Sequence, residues 1–206
     1  LVVFAVIPLV KVLIQSFISY EGTVSFDAYL RAFTSEENFK ALSHSLTLGA
    51  ASGILSTAVG FLFAYSAAYV HMRWKRLFNP IAMLPIVSPP FAIALSIILL
   101  FGSRGLISYT LLGLQDVNIY GFRGLLFAQT LSYFPIAYLL LNGVLGSIDP
   151  SIEEAARNMG ASRGKTFLHV TLPLCLPGIA NAFLLVFIKS VADFGNPITI
   201  GGNYQT

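Results

Sequence analysis

The chain has one cysteine, one tryptophan and three histidines among 206 residues, and only 10% of its residues carry charge. Each shortage excludes a class of chemistry. Cys175 stands alone between two prolines, so it makes no internal disulfide, supplies no metal cluster and reads as packing. His44, His71 and His169 are scattered with no carboxylate or cysteine at ligand spacing, and no metal site is expected. Nothing resembles a serine or cysteine nucleophile with its base. The neighbours Glu153 and Glu154 point to different faces of a helix, so they do not form a catalytic pair, and no enzyme chemistry is expected. The net charge of +3 is spread through the loops without a basic stripe or interleaved aromatics, which excludes nucleic acid as a partner. Gly164-Lys165-Thr166 looks like the end of a phosphate-binding loop, but position 159, where the first glycine would stand, is Met159, and no strand precedes it. No cofactor is implied.

What the chain has in abundance is apolar surface. Hydrophobic residues make up 56% of it and the mean hydropathy is +0.78, well outside the range of soluble domains. These residues gather into five runs, 1–19, 46–70, 80–101, 124–145 and 175–191, near the roughly 20 residues that a helix needs to cross a bilayer. Barrel strands would alternate instead of running continuously apolar, so an all-α, multi-pass transmembrane bundle in a lipid bilayer is predicted. The first run lacks a basic leader and a small-residue cleavage pattern, and Lys11 interrupts it, which favours a membrane helix over a signal peptide. Residue 1 is not methionine and lies inside a run, and Thr206 follows a Gly201-Gly202 turn, so both ends are expected to be cut.

Short loops rich in Lys and Arg mark the cytoplasmic side. The loop 71–79 carries Arg73, Lys75 and Arg76, and the loop 146–172 carries Arg157, Arg163 and Lys165. Segment 20–45 instead has Glu21, Asp27, Glu36 and Glu37 against Arg31 and Lys40. Loops 71–79 and 146–172 are therefore placed inside, and 20–45 and 102–123 outside.

The second inner loop is built to be structured. Asp149 suits an N-cap, and Pro150 suits the first helical position, where no amide hydrogen is needed. Glu153 and Glu154 are favoured near the positive end of that helix, and Gly160 suits a left-handed C-terminal residue. Ser162 caps a second predicted helix to about Val170, and Leu172-Pro173 is expected to force a break before the last span. A helix lying on the lipid surface is the plainer reading of such a loop. Against it stands the spacing Glu154-Ala155-Ala156, three residues, Gly160, nine residues, Val170, one residue, Leu172-Pro173.

That spacing resembles the EAA signature of the permeases of type I ABC importers. The resemblance implies coupling helices over 149–172 that sit in a cleft of a cytoplasmic ATP-binding subunit dimer. ATP would then be bound by that partner. It assigns coupling to Glu154, Ala155, Ala156, Gly160, Val170, Leu172 and Pro173. Small Ala155 and Ala156 would allow close approach, Gly160 would make the corner, and Glu154 would offer a polar contact or a cap. Leu84-Pro85-Ile86-Val87-Ser88-Pro89-Pro90, Leu100-Phe101-Gly102, the stretch from Ala192 to Pro197 and Gly201-Gly202-Asn203 look like the ferric-iron permease branch. Transporters for phosphonates, thiamine or polyamines share parts of that pattern. The resemblance spans essentially all 206 residues and implies one permease domain, the first half of a longer permease, with at least the sixth helix of this half expected to be missing from the chain. It further implies a second permease half, fused or separate, a periplasmic solute-binding protein and a Gram-negative inner membrane.

Charge at membrane depth is costly and usually faces protein or water. Lys189 and Asp193 are such groups, and i, i+4 spacing lets them neutralise each other on one helical face. Phe194, Gly195, Asn196 and Pro197 are expected to break the helix there. Lys189 and Asp193 to Pro197 are the candidate translocation pathway, with a structural ion pair as the alternative. Pro85, Pro89, Pro90 and Pro135 predict kinks in or beside the spans. Tyr65 with Tyr69, and Tyr133 with Phe134, read as packing or interface anchors. A secondary transporter without an ATPase would need coupling-ion carboxylates inside its spans, where only Asp193 comes near. A membrane enzyme would need clustered catalytic groups.

Overall fold

The computed structural model describes residues 2–18, 22–70, 75–114, 117–204 and 206. Among the described residues ten α-helices follow one another: α1 (Val2–Ser16), α2 (Asp27–Thr34), α3 (Glu36–Tyr69), α4 (Lys75–Val87), α5 (Pro90–Phe101), α6 (Phe122–Ser147), α7 (Pro150–Asn158), α8 (Arg163–Thr166), α9 (Leu172–Val191) and α10 (Gly195–Ile200). Among the described residues the only extended pairing is a single antiparallel bridge between Ile18 and Val24. The all-α architecture is as expected.

The chain divides into two compact units, Leu1–Ser43 and His44–Thr206. In the first, Phe17 packs edge-on to Phe26 and lies 5.3 Å from the Tyr29 ring, whose hydroxyl shares a hydrogen bond with Ser16. The apolar side chains of α1 are largely exposed.

Among the described residues four helical stretches are long and apolar enough to cross a membrane: Glu36–Tyr69, Phe91–Leu111, Phe122–Ser147 and Arg163–Val191. Their boundaries correct the sequence reading in four places. Helix α1 has 15 residues, fewer than the run 1–19 suggested. Helix α3 starts ten residues before the run 46–70, because the polar stretch from Glu36 keeps helical geometry and places Glu36 and Glu37 in its favoured first turn. The run 80–101 is two helices. Pro89 is extended (φ −59°, ψ 142°), the conformation favoured before a proline, so α4 ends before it and Pro90 starts α5. Pro85 and Pro135, by contrast, lie within helices. Beyond α5 a π-helical turn, Leu106–Leu111, occupies part of the loop placed outside.

The fourth correction concerns Leu172-Pro173, where no break occurs. Residues Phe167–Thr171 form a π-helical turn, and the Leu172 amide donates to the Phe167 carbonyl five residues back. The wider turn carries the helix onto Pro173, which sits at the start of α9 where a missing amide hydrogen costs least. Residues 163–191, from the end of the inner loop through the last span, thus follow one helical path.

The core lies where α6 is wrapped by α3, α4, α5, α9 and α10. Leu125, Ala128, Ala137, Tyr138 and Leu141 of α6 are fully buried. Small residues let the backbones close in: a Cβ added at Gly60 of α3 would lie 2.7 Å from the Ala137 Cβ and from the Tyr138 amide nitrogen. Without a hydrophobic gradient between helices inside lipid, such close van der Waals contact is a main source of association.

Candidate functional site

Two polar sites stand at opposite ends of this bundle. At one end lies the loop after α6. The Asp149 carboxylate accepts from the Ser151 amide at 2.9 Å and caps α7, and this bond holds its pKa below the ordinary carboxylate value. Gly160 has φ +89°, a left-handed conformation that closes α7 and turns the chain toward Ser162. Ser162 caps α8, accepting from the Lys165 amide at 3.4 Å. The sequence-derived caps therefore stand where they were placed, although the second helix is a four-residue piece that runs into the π turn.

On α7 the two faces differ. Glu154 and Ala155 are exposed, as are Met159 and Gly160, whereas Glu153 and Ala156 are each 8% exposed. Ala156 thus faces the bundle instead of offering the close outward approach expected of it. Val170 and Leu172 are half-buried and Pro173 is exposed. The side chain that sequence reasoning passed over is Glu153. Its Oε1 accepts from the Tyr69 hydroxyl at 2.5 Å and from the Thr171 hydroxyl at 2.7 Å. Tyr69 ends α3 and stacks on Tyr65 at 4.6 Å, and Thr171 ends the π turn. A cleft of about 420 Å³ lies beside them, lined also by Arg157, Arg163 and Phe167. Of the basic residues in loop 71–79, Arg73 lies outside the described residues.

At the other end, α9 stops at Val191, and α10 begins at Gly195. The break therefore falls at 192–194, while Gly195, Asn196 and Pro197 are themselves helical. The expected ion pair is absent: among the described residues, Lys189 and Asp193 form no salt bridge. The reason is geometric, since Asp193 lies past the end of α9 and has left the helical face that carries Lys189. Its carboxylate instead accepts from the Asn196 amide at 3.2 Å, the Asn196 side-chain nitrogen at 2.7 Å and the Gln129 side-chain nitrogen at 3.1 Å. Gln129 is fully buried in α6 and also accepts from Ser52 of α3 at 2.8 Å and from Ser190. This network joins α3, α6, α9 and α10. Lys189 and Asp193 still share a cavity of about 420 Å³, lined also by Ser88, Ser132, Tyr133 and Phe194. Gln129, buried in an apolar span, is the signal that sequence reading missed here.

Known proteins resemble this chain in sequence and in fold. The chain is 38% identical over 207 aligned residues to the ferric transport system permease protein FbpB of Actinobacillus pleuropneumoniae, covering 98% of this chain and 30% of that one. It is 30% identical over 169 residues to the molybdenum transport system permease protein ModB of Escherichia coli K12, covering 82% of this chain and 74% of that one. The chain thus spans less than a third of the length of the ferric relative. In three dimensions it resembles a chain of a bacterial ABC transporter involved in the import of alginate, with a TM-score of 0.74 at 20% identity over 97% of this chain and 76% of that one. That likeness shows the fold alone. Residues 56–205 match the family described as binding-protein-dependent transport system inner membrane component, and the chain belongs to that family.

Proposed function

We propose that this chain is the membrane-embedded part of an ATP-driven importer of the bacterial inner membrane, carrying ferric iron handed over by a periplasmic binding protein. A cytoplasmic ATPase dimer docks on 149–172, and its closure on ATP moves the spans by alternating access, with a second permease half completing the pathway. ATP hydrolysis belongs to the partner. The observation that carries the docking reading is the two-faced α7, with Glu154, Ala155 and Met159 outward beside the Gly160 corner. Met159 is 83% exposed, an apolar contact group at the end of α7, and Ile152 and Leu168 of the same loop are exposed as well. Glu154, Ala155, Ala156, Gly160, Val170, Leu172 and Pro173 form the coupling element, Ala156 by seating α7 on the bundle.

Iron is favoured by the ferric relative and by the chemistry of the outer cavity. The Asp193 carboxylate and the Tyr133 phenol offer hard oxygen groups suited to a small trivalent cation, and Lys189 and Phe194 line the same space. Asn196, Gly195 and Pro197 position Asp193 from α10. The molybdenum relative favours a second reading, an oxyanion met by Lys189. Co-purification of the full-length permease with its ATPase, with Gly160→Lys as control, tests the docking. Uptake of radiolabelled ferric iron against molybdate by the reconstituted transporter tests the cargo. Iron uptake that molybdate does not inhibit supports the first reading, and the reverse result overturns it.

A further inference from the structure

The inward face of α7 carries a carboxylate that the docking surface does not use. Glu153 is buried, yet no cation pairs with it among the described residues. One oxygen, Oε1, takes both hydroxyl hydrogens, from Tyr69 and from Thr171. Those donors belong to different membrane helices: Tyr69 is the last residue of α3, and Thr171 ends the π turn that leads into α9. A buried carboxylate is costly unless its hydrogen bonds are made, so separating α7 from either helix exposes a desolvated charge to loss of a partner. Hydrogen bonds to an ionised acceptor are also short and strong for their kind. The remaining contacts of α7 include Ala156, a single methyl group, and the Arg157 Nε, which donates at 3.4 Å to the Glu153 carbonyl within the helix itself.

We propose that Glu153 is a positioning residue that fastens the docking helix to α3 and α9 together, so that displacement of α7 moves both spans. The inference rests on the reading of α7 as the ATPase docking helix. It differs from docking itself, because Glu153 lies on the buried face of α7 whereas Glu154 and Ala155 are exposed.

The test uses the full-length permease reconstituted with its ATPase and binding protein in vesicles, comparing wild type with Glu153→Leu, Glu153→Gln, Tyr69→Phe and Thr171→Val. The readouts are ATPase stoichiometry after co-purification and cargo transported per ATP hydrolysed. Glu153→Leu should keep the ATPase but lower transport per ATP about tenfold, the scale set by loss of a charged hydrogen-bonded pair. Glu153→Gln keeps an oxygen at the position of Oε1 and should retain most of the coupling, a rescue that simple loss of folding would not show. Tyr69→Phe and Thr171→Val should each lower the ratio severalfold, and neither should add to Glu153→Leu in the double variants. Unchanged transport per ATP in Glu153→Leu, or additive double variants, overturns the proposal. Should Glu153→Leu not fold, the two hydroxyl deletions decide by themselves: an unchanged ratio in both overturns it. Failure of the wild type to retain ATPase overturns the docking reading instead, and is distinguishable because it appears before any substitution.

Discussion

Asn196 grips Asp193 twice, with its side-chain nitrogen 2.7 Å from Oδ2 and its backbone amide 3.2 Å from Oδ1. A carboxylate just past the end of a span is thereby fixed by the first turn of the next helix instead of by the lysine one turn back. Asp193→Asn should preserve the shape but turn an acceptor into a donor facing Gln129, leaving buried groups mismatched at a cost of about 1–3 kcal/mol. The expected outcome is a lower thermal midpoint and reduced uptake in the reconstituted transporter. Asn196→Ala should act in the same direction. Unchanged rate and apparent affinity in both would remove this end from the pathway.

Gly160 turns the chain between α7 and α8 at φ +89°, with open space around the position of an added Cβ. Its substitution therefore acts through backbone strain and not through a clash. Gly160→Ala should cost about 1 kcal/mol in the loop and weaken ATPase retention, and Gly160→Asn should be milder because asparagine tolerates this conformation. Titration of the ATPase on to detergent-solubilised permease measures the order of the two.

Gly60 is the opposite case, a position decided by contact. A side chain there meets Ala137 and the Tyr138 backbone at 2.7 Å, and backbone cannot give way as a flexible side chain does. Gly60→Val should separate α3 from α6 and destabilise the bundle by about 1–3 kcal/mol, as overpacking usually does. Gly143, with nothing within 4 Å, provides the control: Gly143→Ala should leave the melting temperature unchanged or raise it. Equal effects at the two sites would contradict the packing described.

Asp149 gives the N-terminus of α7 a pH dependence. Its capping bond lowers the carboxyl pKa in the folded loop, so the stabilisation is complete above the ordinary value of about 4 and is lost as pH falls through the lower folded value. Amide hydrogen exchange across 150–158 should be faster in Asp149→Ala than in wild type at pH 7. The two should converge once the acid is protonated. A difference that persists at low pH would mean that the cap acts without its charge.

Some of this was legible in the residues and some was not, for reasons that differ by element. Asp149, Gly160 and Ser162 could be assigned because a cap is made with amides one to three residues away. The apolar runs revealed the membrane class because bilayer thickness demands length alone. The same logic overextended the run 80–101 as one span: hydropathy is blind to Pro89, whose extended backbone splits it. It also read Pro173 as a stop, where a π turn carries the helix through. The Lys189–Asp193 pair failed because i, i+4 reasoning presumes a helix that continues, and α9 ends at Val191.

By itself, then, the sequence determined a polytopic helical protein with a capped, glycine-cornered loop, since burial of apolar length and local hydrogen bonding are properties of neighbouring residues. Only the tertiary structure decided that Glu153, and not its exposed neighbour, reaches Tyr69 and Thr171, and that Gln129 joins Ser52 to Asp193. Those partners lie on different helices, and which carboxylate is buried depends on the face that each helix turns to the others once the bundle has packed.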